Sequence, residues 1–361
     1  MSRIDELESL RGIAAASIMV YHLWYPRFLQ GWYRVDVFFV LSGFLVTSYV
    51  LRRGGETGFW PRFYLGRVLR ICPIYFATLF ALVLANPYLP KEFAAEGLLQ
   101  YLTFTQNVQH YWKGEVPEFH WQFYHTWSLA IEMQYYVLWP VLAWILGRRG
   151  IVWVAPPLIA LAALARACGL HPHVLLGRCD GHLLGALLAV FLADRAALRH
   201  RIAGYRLGFC GIGGIGVGIL LLVNLGGTPA PASGGVPLPV HESLTILSGA
   251  VIYTCLVGFL VTHAGHPRLQ ILRSRPFREL GAISYGVYLF HPIIFKGVEV
   301  MAAWCSVTQT LLVQVVMVVA SLTAASLSWR YVERPILKWR DPLLELFSQG
   351  VTRRIAAMCR L

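Results

Sequence analysis

The chain alternates long apolar runs with short polar segments, and ten runs have the length and composition of bilayer-crossing helices. They cover 12–29, 35–51, 71–86, 126–146, 151–167, 181–194, 207–225, 243–262, 284–304 and 310–329. Runs such as Leu207–Leu225 and Ser243–Thr262 supply the ~20 residues that carry a helix across a ~30 Å hydrocarbon core. The run at 181–194 is short and predicts a tilted or partly re-entrant element. Short segments of strict alternation, the mark of a membrane β-barrel, are absent. The pattern predicts an all-α polytopic integral membrane protein of about ten transmembrane helices. Its membrane domain covers 1–340, and a short basic tail follows at 341–361.

Composition agrees, since 57% of the 361 residues are hydrophobic and only 14% charged, against about a quarter charged in soluble domains. The net charge of +13 does not point to nucleic acid, because its cations sit in short segments between apolar runs: 52–70, 148–149, 195–201, 268–278 and 330–361. Of 31 Lys and Arg, 24 fall on one side of the predicted membrane, six on the other (27, 34, 91, 113, 166, 178), and Lys296 within a span. Cytoplasmic loops carry such an excess, so both termini are expected inside and the bilayer is an expected partner. The longest outer connection is then 87–125, where LLQYLTFTQN (98–107) reads as an interfacial or re-entrant helix among Tyr111, Trp112, Phe119, Trp121, Phe123 and Tyr124. The Pro- and Gly-rich 226–239 reads as an outer loop. MSRIDELESLR carries no signal-peptide cleavage pattern, so the first span is expected to be retained. Seven scattered cysteines without a CxxC pair give neither a disulfide framework nor a zinc site.

Polar groups interrupt these spans, and an ionisable residue in a bilayer is costly and marks a candidate site. Arg11 and His22 lie eleven steps apart, close to three helical turns, and therefore on one face. Asp36 opens the second span and Ser42-Gly43 interrupts it. HTWSLAIEMQYYVLWP (125–140) carries Trp127, Ser128, Glu132 and Gln134. RCDGHLLG places Arg178 and Asp180 at a span end, ISYGVYLFHPI carries Ser284, Tyr285, Tyr288 and His291 before a kinking Pro292, and YVERP holds Glu333. Each has a plainer role: Arg11 snorkelling to the surface, the histidines packing, Glu132 pairing with an arginine, Asp36 capping its helix, Arg178 and Asp180 forming a local pair. GIGGIGVG (211–218) contains G-x-G-x-x-G but lies in an apolar span with no preceding strand, so helix packing through Gly214 and Gly218 is expected there. No histidine spacing suggests a metal, and G-x-S-x-G and H-x4-D are missing.

Taken in order, LESLRGIAAASIMVYH with its R-x10-H spacing, VDVFFVLSGFL, RFYLGRVLRICPIYF, HTWSLAIEMQYYVLWP, RCDGHLLGALLA, ISYGVYLFHPI and YVERP resemble the acyltransferase 3 family. These are bacterial inner-membrane enzymes that O-acylate cell-surface carbohydrates and some glycosylated metabolites. Met133 stands where many members carry a second acidic residue. The sequence ends at 361 without the hydrolase-like domain fused to some members, so direct transfer within the membrane domain is the expectation.

The resemblance implies no bound cofactor, acetyl-CoA or another acyl-CoA as co-substrate, a carbohydrate hydroxyl as acceptor, and polysaccharide-assembly proteins as further partners. Imidazole titrates near neutrality, which suits His22 as general base. Glu132 or Asp36 would orient it. Arg62, Arg67 and Arg70 would hold CoA phosphates, and Arg11 would bind the donor or steer it. Ser42, Trp127, Ser128, Gln134, Arg178, Asp180, Ser284, Tyr285, Tyr288, His291 and Glu333 remain acceptor-binding or structural. The rival class is a proton-coupled transporter or flippase of a lipid-linked glycan using Asp36, Glu132 and His22. No inverted repeat supports it.

Overall fold

The computed structural model describes residues 4–24, 34–85, 91–108, 123–193, 202–225, 239–307 and 310–346. The basic cluster 195–201, most of the loop 226–239, residues 347–361 of the tail, and Tyr111, Trp112, Phe119 and Trp121 lie outside them. The described residues are helical with connecting turns. The principal helices are α1 (Asp5–Leu23), α2 (Asp36–Arg53), α3 (Phe59–Ala85), α4 (Lys91–Thr103), α5 (Trp127–Ala167) and α6 (Cys179–Phe191). They continue as α7 (Ile202–Leu225), α8 (Pro239–Thr262), α9 (Arg275–Trp304), α10 (Leu311–Ser328) and α11 (Arg334–Leu337).

Each of the ten expected spans overlaps a helix, and among the described residues five helical stretches are long and apolar enough to cross a membrane. They are Phe59–Leu84, Tyr124–Ala167, Pro239–Thr262, Arg275–Trp304 and Leu311–Leu346. This is a polytopic all-α membrane protein.

Several boundaries differ from the hydropathy reading for physical reasons. The basic stretch before residue 71 is helical from Phe59, because Phe59 and Phe63 stand one turn apart and both bury against Tyr49. The expected spans 126–146 and 151–167 are two helical halves of the α5 stretch, separated at Gly147, whose non-helical φ of 57° and ψ of −172° suit a residue without Cβ. Helix α9 starts nine residues before its expected span and runs through Pro292. Of the predicted 98–107 segment, residues 98–103 are the end of α4, which begins at Lys91, and the chain turns at Phe104, where φ is 54°. In α7 the glycines facing α8 are Gly213 and Gly216, where a Cβ would meet Cys255 and Ile252; Gly214 and Gly218, the expected contacts, face open space.

Two helix pairs set the frame. Helix α1 lies along α9 and α2 along α6. A Cβ on Gly12 would come 2.6 Å from the Gly281 nitrogen, and one on Gly185 would come 2.2 Å from the Val40 carbonyl oxygen. Only glycine permits such approach of helix backbones. The largest apolar core joins α2, α3, α5, α6 and α9 through Phe39, Phe63, Tyr75, Ile131, Leu183 and Leu289. At the start of α1, buried Glu6 accepts hydrogen bonds from the Gly265 N–H at 2.8 Å and Arg273 at 2.9 Å, and Ser9 donates to the Leu272 carbonyl. This anchors α1 to the 3-10 segment Pro267–Arg273 ahead of α9.

Candidate active site

Helical spacing aligns the polar residues of α5 and α9. Ser128, Glu132 and Tyr136 recur every four residues along one face of α5. Ser284, Tyr288 and His291, spaced by four and then three residues, share one face of α9. The two faces meet at Tyr288, whose hydroxyl donates to the His125 carbonyl and lies 2.7 Å from Ser128 Oγ. Beyond it, the buried His291 ring lies 5.5 Å from that of His125 and reaches His22 of α1, Nε2 to Nδ1, at 2.9 Å. His22 is exposed, whereas His291 has no accessible surface. An accessible imidazole therefore stands on a buried one.

In the other direction along α5, Glu132 accepts hydrogen bonds from Ser42 Oγ at 2.5 Å and from Tyr136, and the two hydroxyls lie 3.0 Å apart. Arg67 of α3 stacks its guanidinium 4.6 Å from the Tyr136 ring centre and 5.6 Å from that of Phe63. Among the described residues it forms no ion pair. Arg70, one turn on, is engaged: it pairs with Glu333 at 3.6 Å, donates to the Ala282 carbonyl at 3.2 Å and covers the Trp329 ring at 4.7 Å. Arg11, half-buried, lies within electrostatic range of Arg70. Glu333 closes a π-helical turn, Trp329–Glu333, and accepts from Ser328. A lane of polar groups thus runs from Arg11, Arg70 and Arg67 through Tyr136 and Glu132 and, one turn along α5, through Ser128 to Tyr288 and the histidines.

Neither carboxylate expected to orient His22 touches it. Glu132 belongs to Ser42 and Tyr136. Asp36 is held by Arg178, whose Nε and Nη2 donate to its two oxygens at 2.8 and 2.9 Å. Arg178 and Asp180 do not form the expected local pair, because Asp180 accepts instead from Arg166 at 2.6 Å. All four charges are buried, and they tie together α2, α5 and α6. Trp127 stacks on His173 at 3.9 Å beneath the Arg178 guanidinium. Gln134 bonds to Asn107 and the Phe104 carbonyl, away from the lane. Tyr285 donates to the Ile71 carbonyl at 2.9 Å, and Ser284 is buried beside it. Arg62 is half-buried, within range of Asp341 rather than of Glu132 or Tyr136.

Sequence reasoning missed Tyr136, His125 and Arg166. Tyr136 carried a signal, one helical turn from Glu132. Arg166 carried none, because its partner is fourteen residues away across a turn.

Peptidoglycan O-acetyltransferase OatA of Listeria monocytogenes is 23% identical over 93% of this chain and 56% of its own length. A putative peptidoglycan O-acetyltransferase of Bacillus subtilis is 25% identical over 92% of this chain and 55% of its own. An O-acetyltransferase of Staphylococcus aureus is 26% identical over 92% and 57%. The chain therefore spans a little over half the length of these curated relatives. No solved structure matches it. The long apolar helices and bacterial relatives make it a multi-pass protein of the bacterial inner (cytoplasmic) membrane. The family model described as an acyltransferase domain matches residues 4–330, and the chain belongs to that family.

Proposed function

We propose that this protein is a membrane O-acyltransferase that moves an acyl group, acetyl first among candidates, from cytoplasmic acyl-CoA to a hydroxyl of a cell-surface or exported carbohydrate. It does so from ten membrane crossings with both ends in the cytoplasm. The observation that carries this reading is the polar lane, with an accessible histidine at one end and, towards the other, Arg67, which has no carboxylate partner among the described residues. Arg67 suits a CoA phosphate because a guanidinium offers a planar array of donors. His22 removes the proton of the acceptor hydroxyl, whose oxygen attacks the thioester carbonyl. The carbon–sulfur bond breaks, and the proton leaves on the CoA thiolate. The names of the relatives, peptidoglycan O-acetyltransferases among them, support a glycan acceptor.

Inside-out vesicles supplied with labelled acetyl-CoA test the reading. Label is expected in alkali-labile esters of the carbohydrate fraction, and none with His22→Ala, which inserts normally. Transfer by His22→Ala at the wild-type rate would overturn the assignment of the base.

A further inference from the structure

An imidazole has two ring nitrogens, and a neutral one can use only one of them as a base. In His291 the choice is fixed within its own helix. Its Nδ1 lies 2.9 Å from the Val287 carbonyl oxygen, one turn back. A carbonyl oxygen only accepts, so Nδ1 carries the proton and Nε2 carries the lone pair. That lone pair faces His22 Nδ1 at 2.9 Å. The proton of this contact therefore belongs to His22, and the lone pair of neutral His22 is on Nε2.

We infer that His291 is a positioning residue: anchored by the Val287 carbonyl, it holds His22 in the Nδ1–H tautomer and leaves Nε2 as the base. The inference rests on the reading of His22 given above. Burial supports it, because His291 has no access to water that would offer an alternative partner, while the ring it holds is open to an acceptor. The rings lie 5.0 Å apart at 30°, and Phe295 packs edge-on to His291 at 5.8 Å, which restricts its rotation. As the hydroxyl proton moves to His22 Nε2, the resulting imidazolium keeps its Nδ1–H bond to the His291 lone pair. The same Nε2 proton then passes to the thiolate, and His22 returns to its starting tautomer.

Two substitutions separate this role from packing. In His291→Gln the side-chain amide reaches the position of Nε2 and offers an oxygen acceptor, whereas in His291→Asn the amide stops near the position of Nδ1. Nitrogen-15 histidine spectra of the full chain in nanodiscs, with the His22 signal assigned by its loss in His22→Gln, read the tautomer directly. The expected result is one Nδ1–H tautomer in the wild type and His291→Gln, and a mixture in His291→Asn. The maximal rate of acetyl transfer should fall about 100-fold or more in His291→Asn, the scale of a misplaced general base, and much less in His291→Gln. The KM for acetyl-CoA should stay within about twofold in both, because donor binding is untouched. Equal losses in the two variants, or an unchanged His22 tautomer in His291→Asn, would overturn the inference and leave His291 a packing residue. Full turnover by His22→Gln would instead remove the reading on which it rests.

Discussion

Gly12 and Gly281 cross so closely that a Cβ on Gly281 would fall 2.3 Å from the Glu8 carbonyl oxygen, and ten residues further along each helix His22 meets His291. The equal separations mean that α1 and α9 run parallel in matched register, with the crossing about 15 Å from the histidine pair at ~1.5 Å per residue. The crossing fixes the distance between the two histidines without touching either. Gly12→Val should wedge the helices apart and cost roughly 1–3 kcal/mol, the usual scale of overpacking. Turnover should fall further, about 100-fold, because a 1 Å displacement of a catalytic group is enough for that. Gly55→Val, where a Cβ meets open space, is the control and should leave both melting and transfer unchanged. Equal activity of the two variants would detach the crossing from the site.

What was legible in the sequence was one-dimensional. Apolar runs located the helices, and the eleven-residue spacing put Arg11 and His22 on one face. Partners on different helices were not legible. His22 and His291 are 269 residues apart and Asp36 and Arg178 are 142 apart, and spacing says nothing about contacts at that range. With several carboxylates and arginines in the spans, each charge had more than one plausible mate, so Asp36 and Glu132 were both expected at His22. Helical register could have exposed Tyr136, which follows Glu132 by one turn. The helical start at Phe59 was hidden because Arg62, Arg67 and Arg70 lower local hydropathy while Phe59 and Phe63 bury the other side of the turn.

The Asp36–Arg178 pair is assigned to helix assembly, and a double substitution tests this. Asp36→Ala leaves a buried guanidinium without its carboxylate, which costs about 3–5 kcal/mol in comparable pairs. Melting in detergent should drop sharply. Asp36→Leu combined with Arg178→Met removes both charges and should recover most of the stability together with acetyl transfer. A double variant that folds well yet transfers nothing would return Asp36 to the chemistry.

Topology is tested at Gly55, which tolerates a side chain. Five basic residues lie in 52–70 and two in 87–125, so the first segment is expected in the cytoplasm and the second outside. In a background without other cysteines, Gly55→Cys should react with an impermeant maleimide in inside-out vesicles and stay silent in intact cells. Labelling from outside would invert the orientation and with it the side from which the donor enters.

Arg67 and Arg70 stand one turn apart on α3, yet their surroundings predict opposite phenotypes. Arg70 is neutralised by Glu333 and hydrogen-bonded to the Ala282 carbonyl, so its charge is already used within the protein. Arg67 rests on the Tyr136 and Phe63 rings, which orient a cation without neutralising it. An anionic ligand is the partner such a group lacks. Arg67→Ala should therefore raise the KM for acetyl-CoA about 10- to 100-fold, the equivalent of one charge-assisted hydrogen bond of ~1.5–3 kcal/mol. The KM for the carbohydrate should change little. Arg67→Lys should rescue only in part, because it keeps the charge and loses the planar donor array. Arg70→Ala should leave donor KM near wild type and lower the melting temperature, because it strands the buried Glu333 carboxylate. Donor titration and melting of the three variants decide the matter. An unchanged donor KM in Arg67→Ala would place the CoA phosphates elsewhere, with Arg11 the next guanidinium along the lane.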